Sequence, residues 1–284
     1  MSNAKSESKK IWLITGVSRG LGKALAQAVL DQGDIVIGTT RSGKADIKGD
    51  SDQLKILGLE LTDTAQISQT VEAAYQLHGR LDVIVNNAGY GLLGAIEESS
   101  DEEMKHLFDV NFFGVVQLIK AALPRLRQQR SGHIINISSI AGLAPMAGSG
   151  LYAAAKFAVE GVSQSLAQEV EPLGIKVTLV EPGAFRTDFL SDRSISNSPA
   201  KIADYLPTSG EALQHLADIT GKQLGDPTLG AQAIIKVVEA DNPPLHLVMG
   251  SDALERTRAN IQSLTGILND WQEVSKSTDF REMS

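Results

Sequence analysis

Short apolar runs and helical stripes take turns along the chain. Runs at 11–15, 35–39, 54–58, 83–85, 133–137, 176–180 and 245–248 read as strands. Several are apolar without alternation, the pattern of strands covered on both faces. Between them, Leu21, Leu25, Ala28 and Val29 form a helical stripe that ends at Asp31-Gln32-Gly33-Asp34. Ile67, Val71, Ala74 and Leu77 form another, closed by Gly79 as a C-cap. Ser100-Asp101-Glu102-Glu103 predicts a capping box at the start of a third helix. This alternation over the first 180 residues predicts an α/β fold, a mostly parallel sheet with helices on both faces.

Two regions break the rhythm. Residues 188–228 are polar, with scattered Ser, Asp, Gly and Pro and little periodicity, too long for an ordinary connection. Such a stretch is either a lid over a binding site or disorder, and the lid is the expectation carried forward. Near the C-terminus, Leu254, Ile261, Leu264, Leu268 and Trp271 predict an amphipathic helix over about 251–275, expected to pack on the edge of the domain. No internal repeat is present. Residues 1–9 read as a flexible polar tail and 10–284 as a single domain.

Composition narrows the class. Among 284 residues, 26 basic and 34 acidic side chains give a net charge of −8. An acidic chain without basic clusters has no electrostatic footprint for nucleic acid. The absence of cysteine excludes disulfides, thiolate metal sites and a cysteine nucleophile, and fits a reducing compartment. The polar N-terminus lacks the apolar core of a secretion signal, and no uninterrupted apolar run approaches the ~18 residues of a spanning helix. The expectation is a cytoplasmic protein without a membrane partner. The five histidines show no paired metal spacing and no acidic cluster stands out, so no metal is expected.

The first predicted strand runs into Thr15-Gly16-Val17-Ser18-Arg19-Gly20-Leu21-Gly22, which opens the first helix. Glycines there let the backbone turn tightly and approach a pyrophosphate seated on the helix N-terminus. The spacing is a variant of the commoner glycine fingerprint, and its place in the first βα unit gives it weight. At the end of the second strand, where a free ribose 2′-hydroxyl calls for an acid, the chain has Thr39-Thr40-Arg41. Arg41 and Arg19 are two cations at the places a 2′-phosphate would need them, which favours NADP(H) over NAD(H).

With these pieces placed, the chain resembles the short-chain dehydrogenase/reductase family. The resemblance rests on Thr15-Gly16-x-x-x-Gly20-x-Gly22, Asn86-Asn87-Ala88-Gly89, Asn111, Ser138-Ser139, Tyr152-x-x-x-Lys156 and Pro182-Gly183-x-x-x-Thr187, in that order over about residues 10–190. It implies a doubly wound Rossmann-type domain with a seven-stranded sheet and a catalytic quartet of Asn111, Ser139, Tyr152 and Lys156. It also implies cofactor contacts from Gly16, Ser18, Arg19, Gly20, Leu21, Arg41, Asn87, Ala88, Gly89, Tyr152, Lys156, Pro182, Gly183 and Thr187. One departure is Glu60-Leu61 after the third strand, where the family often has an Asp against the adenine. The Asn86–Gly89 segment is expected chiefly to brace the sheet alongside the cofactor. Members of the family commonly pair the helices at 111–129 and 150–171, so a homodimer or homotetramer is expected.

The chemistry follows from the residue types. Hydride transfer to a carbonyl leaves charge on oxygen that a proton must neutralise. Tyrosine is a poor acid at neutral pH, and an ammonium one helical turn away lowers its pKa. Ser139 is placed to donate to the carbonyl oxygen, Asn111 to hold a water behind Lys156, and Thr187 with the backbone near Ala184 to grip the carboxamide. Tyr90, Leu143, Met146, Phe185 and Phe189 are expected to line the substrate pocket, favouring an apolar or bulky carbonyl or alcohol. Alone, a Tyr/Lys pair at this spacing is often a coincidence of helix surfaces. Two other classes share parts of the pattern: a dinucleotide-binding sensor without turnover, and a methyltransferase, which Arg41 disfavours.

Overall fold

The computed structural model describes residues 9–190 and 194–280. The chain runs β1 (Ile11–Thr15), α1 (Gly20–Asp31), β2 (Ile35–Thr40), β3 (Leu54–Gly58), α2 (Thr64–His78), β4 (Val83–Asn86) and β5 (Gly91–Leu93). It continues through α3 (Asp101–Phe108), α4 (Gly114–Gln129), β6 (Gly132–Ile137), α5 (Gly150–Val170), β7 (Ile175–Pro182) and β8 (Ile195–Asn197). The last elements are α6 (Glu211–Asp218), α7 (Pro227–Glu239), β9 (His246–Met249), α8 (Ser251–Asp270) and α9 (Gln272–Lys276).

Seven strands form one sheet in the order β3-β2-β1-β4-β6-β7-β9, with every neighbouring pair parallel. The order reverses between β1 and β4, and open α/β sheets bind ligands at such a crevice, beyond the carboxyl ends of the strands. β1 is buried throughout, as a strand covered on both faces must be. One apolar layer, with Leu13, Ile37, Ile84, Leu118 and Ile134, lies under α2, α4 and α5. The other, with Trp12, Ile14, Val36, Val85 and Ile135, lies under α1 and α7.

Local signals are met where they were expected. Asp63 and Ser100 cap α2 and α3, the second through a reciprocal box with Glu103. Gly79 closes α2 in the left-handed conformation. The helical run 101–129 has the length and mean hydropathy of a membrane-crossing helix, but buries Leu107, Leu118, Ile119, Ala122 and Leu126 in the fold.

Two features depart from the sequence expectations. The polar stretch 188–228 is not without structure: β8 pairs with β5 in a small parallel sheet, and α6 follows. Glu98 anchors the stretch by accepting the backbone N–H of Ile202 at 2.9 Å. Its neighbour Glu97 receives the Tyr205 hydroxyl at 2.7 Å. The C-terminal helix is also not packed along the edge of the domain. Its first turns are held by Ala253, buried with Ile140 and Ala144, and by Arg256 and Asn260 on the carbonyls of Ala144 and Leu143. From Ile261 onward every described residue is exposed, because the sheet ends at β9 and none of the described residues covers the stripe beyond it. Of the predicted tail, residues 1–8 fall outside the described residues.

Candidate active site

The carboxyl ends of β1, β4, β6 and β7 bring the quoted motifs to one place. Gly16 has φ +73°, and a Cβ there would come 2.8 Å from Ala88 Cα and 3.1 Å from Asn87 Nδ2. The turn and the Asn87-Ala88 segment are thus built to touch. Thr15 Oγ1 accepts the N–H groups of Asn87 and Ala88, and Asn87 Nδ2 donates to the carbonyls of Thr15 and Gly16. Asn86 donates to Asn136 on β6, which donates to Ser163 on α5. The bracing role expected of this segment is therefore visible atom by atom.

Helices α2, α3 and α7 have their first-turn amides capped by Asp63, Ser100 and Asp226. Helix α1, whose N-cap position is Arg19, has no side-chain cap and no acid in its first turn. Its amides and positive dipole end thus face the crevice beside Gly20, Leu21 and the exposed Ser18, as a phosphate site requires. Thr187 stands over Gly20, whose virtual Cβ lies 3.7 Å from Thr187 Cβ. Arg19 Nε donates to Ser194 Oγ at 2.9 Å, and Arg41 is exposed in the turn after β2. Glu60 turns back on Thr62, accepting its N–H and hydroxyl, while Leu61 is buried against Gly114. Pro182 ends β7, and the Gly183 N–H is taken by the Met249 carbonyl.

The quartet converges from α5, the turn after β6 and the turn between α3 and α4. Tyr152 and Lys156 lie on the buried face of α5, with Lys156 Nζ 5.7 Å from the centre of the Tyr152 ring. Lys156 Nζ donates to the Ile137 carbonyl at 2.8 Å. Ser139 caps the short turn after β6, accepting the Ala141 N–H, and its hydroxyl is close enough to the Tyr152 phenol to favour the phenolate. Asn111 sits in a π-turn, Asp109–Phe113, between α3 and α4, a distortion that recurs at functional sites. Gly89 lies between Asn111 and Lys156, its virtual Cβ 3.0 Å from Asn111 Oδ1 and 3.9 Å from Lys156 Nζ.

The electrostatics differ from the simple expectation for Tyr152. Burial pushes the phenol up to about 12, and the Ser139 hydroxyl opposes that. Burial also brings Lys156 down to about 8, which the Glu160 carboxylate one turn away opposes. In the protein alone desolvation is the largest influence on Tyr152, and the net shift of its phenol is upward.

Two further assignments are corrected, and that of Asn111 gains a structural contact. The Asn111 side-chain amide accepts the Tyr90 N–H at 3.1 Å and donates to the Tyr90 carbonyl at 2.7 Å. The Ala184 N–H is bound by Asp252 Oδ2 at 2.8 Å, so it has no bond left for a carboxamide. Phe185 does not line the substrate side: it packs with Leu21 in the layer under α1 and α7, against Gly225 and Gly230.

Of the other pocket candidates, Tyr90 and Phe189 do join Tyr152 in one apolar cluster. The Phe189 ring centre is 6.1 Å from that of Tyr152. Leu143 packs under α8 with Ile140 and Val248. Met146 lines a cleft of about 370 Å³ at the first turn of α5, shared with Ile96, Gly150, Tyr205 and Thr208. Ile96 and Tyr205 carried no sequence signal, because the small β5–β8 sheet that frames them pairs segments about a hundred residues apart.

Comparison with known proteins agrees with this geometry. The family model for short chain dehydrogenases matches residues 10–197. A 3-ketodihydrosphingosine reductase of Bacteroides thetaiotaomicron is 42% identical over 241 residues, covering 85% of this chain and 88% of that one. The crystal structure of a short-chain dehydrogenase from Streptomyces avermitilis superposes with a TM-score of 0.87 at 37% identity, over 95% of this chain and all of that one. The NADP-bound structure of ElxO superposes with a TM-score of 0.71 at 28% identity, over 87% of this chain and all of that one. With the seven-stranded parallel sheet, the glycine turn and the Ser–Tyr–Lys constellation in place, the chain belongs to the short-chain dehydrogenase family of nucleotide-binding oxidoreductases.

Proposed function

We propose that the protein is an NADP(H)-dependent oxidoreductase that interconverts an apolar ketone or aldehyde and its alcohol, with Tyr152 as the proton donor and acceptor. The observation that carries this reading is the convergence of Ser139, at the turn after β6, with Tyr152 and Lys156 one turn apart on the buried face of α5.

The residues present fit a dinucleotide. The uncapped N-terminus of α1 suits the pyrophosphate, and Gly20 leaves the space below Thr187 open. Arg19 and Arg41 are the cations suited to a 2′-phosphate, and NADP binding by the ElxO relative supports the same preference. When bound, the cofactor supplies or accepts the hydride. The remaining chemistry is the chain's own. Ser139 donates to the substrate oxygen as charge develops on it, and the Tyr152 hydroxyl delivers the proton. Lys156, a cation held in place by the Ile137 carbonyl, favours the phenolate left behind.

Tyr90, Phe189 and the cleft beside Met146 give the substrate side an apolar lining. The reductase relative from Bacteroides thetaiotaomicron, whose name specifies a ketone on a long-chain base, supports a lipid-like carbonyl compound. Segment 188–228, tied to β5 through β8 and to Glu98, is the part proposed to close over the substrate. Phe113 and Phe157 are half exposed beside α4 and on α5, as faces that pair in a homodimer would be. The test is a carbonyl screen with NADPH and NADH side by side, using medium- and long-chain ketones, aldehydes and quinones. Oxidation of NADPH in preference to NADH with an apolar carbonyl is the expected result. Tight NADPH binding with no turnover on any of them would overturn the reading in favour of a sensor.

A further inference from the structure

Behind Lys156, on the side away from the glycine turn, lies a polar cluster that the reaction described above does not use. Glu160 follows Lys156 by one turn of α5, Glu181 sits near the end of β7 and His246 begins β9. Their ligand atoms all lie within 4.8 Å of one another. His246 Nδ1 is 2.6 Å from Glu181 Oε1 and 3.7 Å from Glu160 Oε2. Both carboxylates are at least 96% buried at the side chain, whereas the imidazole is 39% exposed and gives the cluster a route to solvent.

The cluster is short of partners. Both oxygens of Glu160 and Glu181 Oε2 are buried without a hydrogen bond of good geometry. The buried hydroxyl of Ser138, at the end of β6, is likewise unpartnered and turned towards Glu160. The other groups that face the carboxylates are the backbone N–H of Leu247 and of Glu181, and the Lys156 ammonium at longer range. Unpartnered buried oxygens are costly, and one imidazolium offsets only one of two carboxylate charges. A divalent cation offsets both and uses the open oxygens as ligands. Tetrahedral zinc ligands at about 2.0–2.2 Å from the metal stand roughly 3.4 Å apart, within the spread seen here.

We propose that Glu160, Glu181 and His246 form a site for a divalent transition-metal ion, zinc by the chemistry of the donors, with the Ser138 hydroxyl or solvent as fourth ligand. One imidazole with two carboxylates suits zinc better than the all-oxygen preference of magnesium or calcium. The ion ties α5, β7 and β9 together one turn from Lys156 and acts as a structural clamp, independently of the reductase reading. Binding at Nδ1 displaces to solvent any proton held there or by the carboxylates.

The test uses the full chain stripped with a chelator and titrated with ZnCl2, MgCl2 and CoCl2. The expected result is one zinc per chain by calorimetry, a rise of several degrees in Tm, and visible d–d absorption when Co2+ is added. Mg2+ should leave Tm unchanged. Glu160→Gln and His246→Ala should each weaken zinc binding at least tenfold. His246→Ala changes a half-exposed side chain and keeps the fold testable by circular dichroism. His215→Ala, on the surface helix α6, should leave binding unchanged. No binding at millimolar zinc overturns the proposal, as does binding that survives both site variants or is lost with His215→Ala. Stabilisation by Glu160→Gln without zinc binding in the native protein overturns it too, and would show instead that the carboxylates share a proton.

Discussion

Helices α5 and α8 are nearly equal in length, 21 and 20 residues, and both carry an apolar stripe. They invert the usual relation between polarity and burial. Helix α5 buries Tyr152, Lys156, Glu160 and Ser163. Helix α8 leaves Ile261, Leu264, Ile267 and Leu268 between 54% and 61% exposed. The difference lies in what faces each helix. β6 and the turn after it present carbonyls and side chains to α5, so Lys156 finds the Ile137 carbonyl, Ser163 finds the Asn136 amide and Tyr152 lies beside Ser139. Helix α8 leaves the sheet at its edge, and only its first turns have a surface to meet. Amphipathic spacing thus states which side chains share a face, and the partner surface decides what that face is for.

The largest effect that would break this contrast is at the buried polar face. Tyr152→Phe removes the proton but little volume, and turnover should fall about 100- to 10,000-fold while NADPH affinity stays within a few-fold. Steady-state kinetics with parallel binding titration checks it; retention of most activity would return Tyr152 to an ordinary buried tyrosine. Next comes stability in acid. His133 on β6 is buried, and burial, then Lys176, brings it down to about 4 from an ordinary 6.5. A depressed histidine favours its neutral form in the fold, so its contribution is complete above about pH 6.5 and is lost as pH falls towards 4. The difference amounts to about 3 kcal/mol at most. Urea unfolding at pH 7.5 and 4.5 should show a shallower loss for His133→Phe than for the native protein. Thr178 Oγ1 keeps its bond to the Pro244 carbonyl in that variant.

A smaller effect belongs to the cofactor side. Arg41→Ala should raise the KM for NADPH relative to NADH about tenfold, worth about 1.4 kcal/mol, and an unchanged ratio would show that Arg41 is merely solvated. The smallest concerns α8. Truncation after Asn260 removes only exposed described residues, so thermal unfolding of the monomer should change by no more than about 0.5 kcal/mol. A larger loss, or a change in oligomeric state on size exclusion, would show that the apolar stripe is covered by another copy of the chain.

Much of the site is legible in the residues because its parts are local. The glycine turn, the caps of α2 and α3 and the Tyr152/Lys156 pair each lie within one strand–helix junction or one helical turn, where spacing translates directly into position. What escaped that reading depends on distant pairings. Ser194 meets Arg19 across 175 residues and Ile202 meets Glu98 across 104, and no periodicity within either segment reports the other. Phe185 reads as a pocket aromatic beside Thr187, yet Gly225 and Gly230, with no side chains, open a slot that draws it into the opposite layer. Asp252 takes the Ala184 amide for the same reason: β9 returns beside β7 and carries the start of α8 with it.

Local chemistry along the chain was enough to establish the βα alternation, the caps and the glycine turn, since each depends on neighbours a few residues apart, whereas the quartet was read from the order of motifs along the whole chain. The tertiary structure decided the electrostatics of Tyr152 and Lys156, through burial that raises the one and lowers the other. It also decided which apolar stripe is covered, and it gathered Glu160, Glu181 and His246 from a helix and two strands. Solvent exclusion and long-range pairing belong to the packed sheet as a whole, and no stretch of sequence contains them.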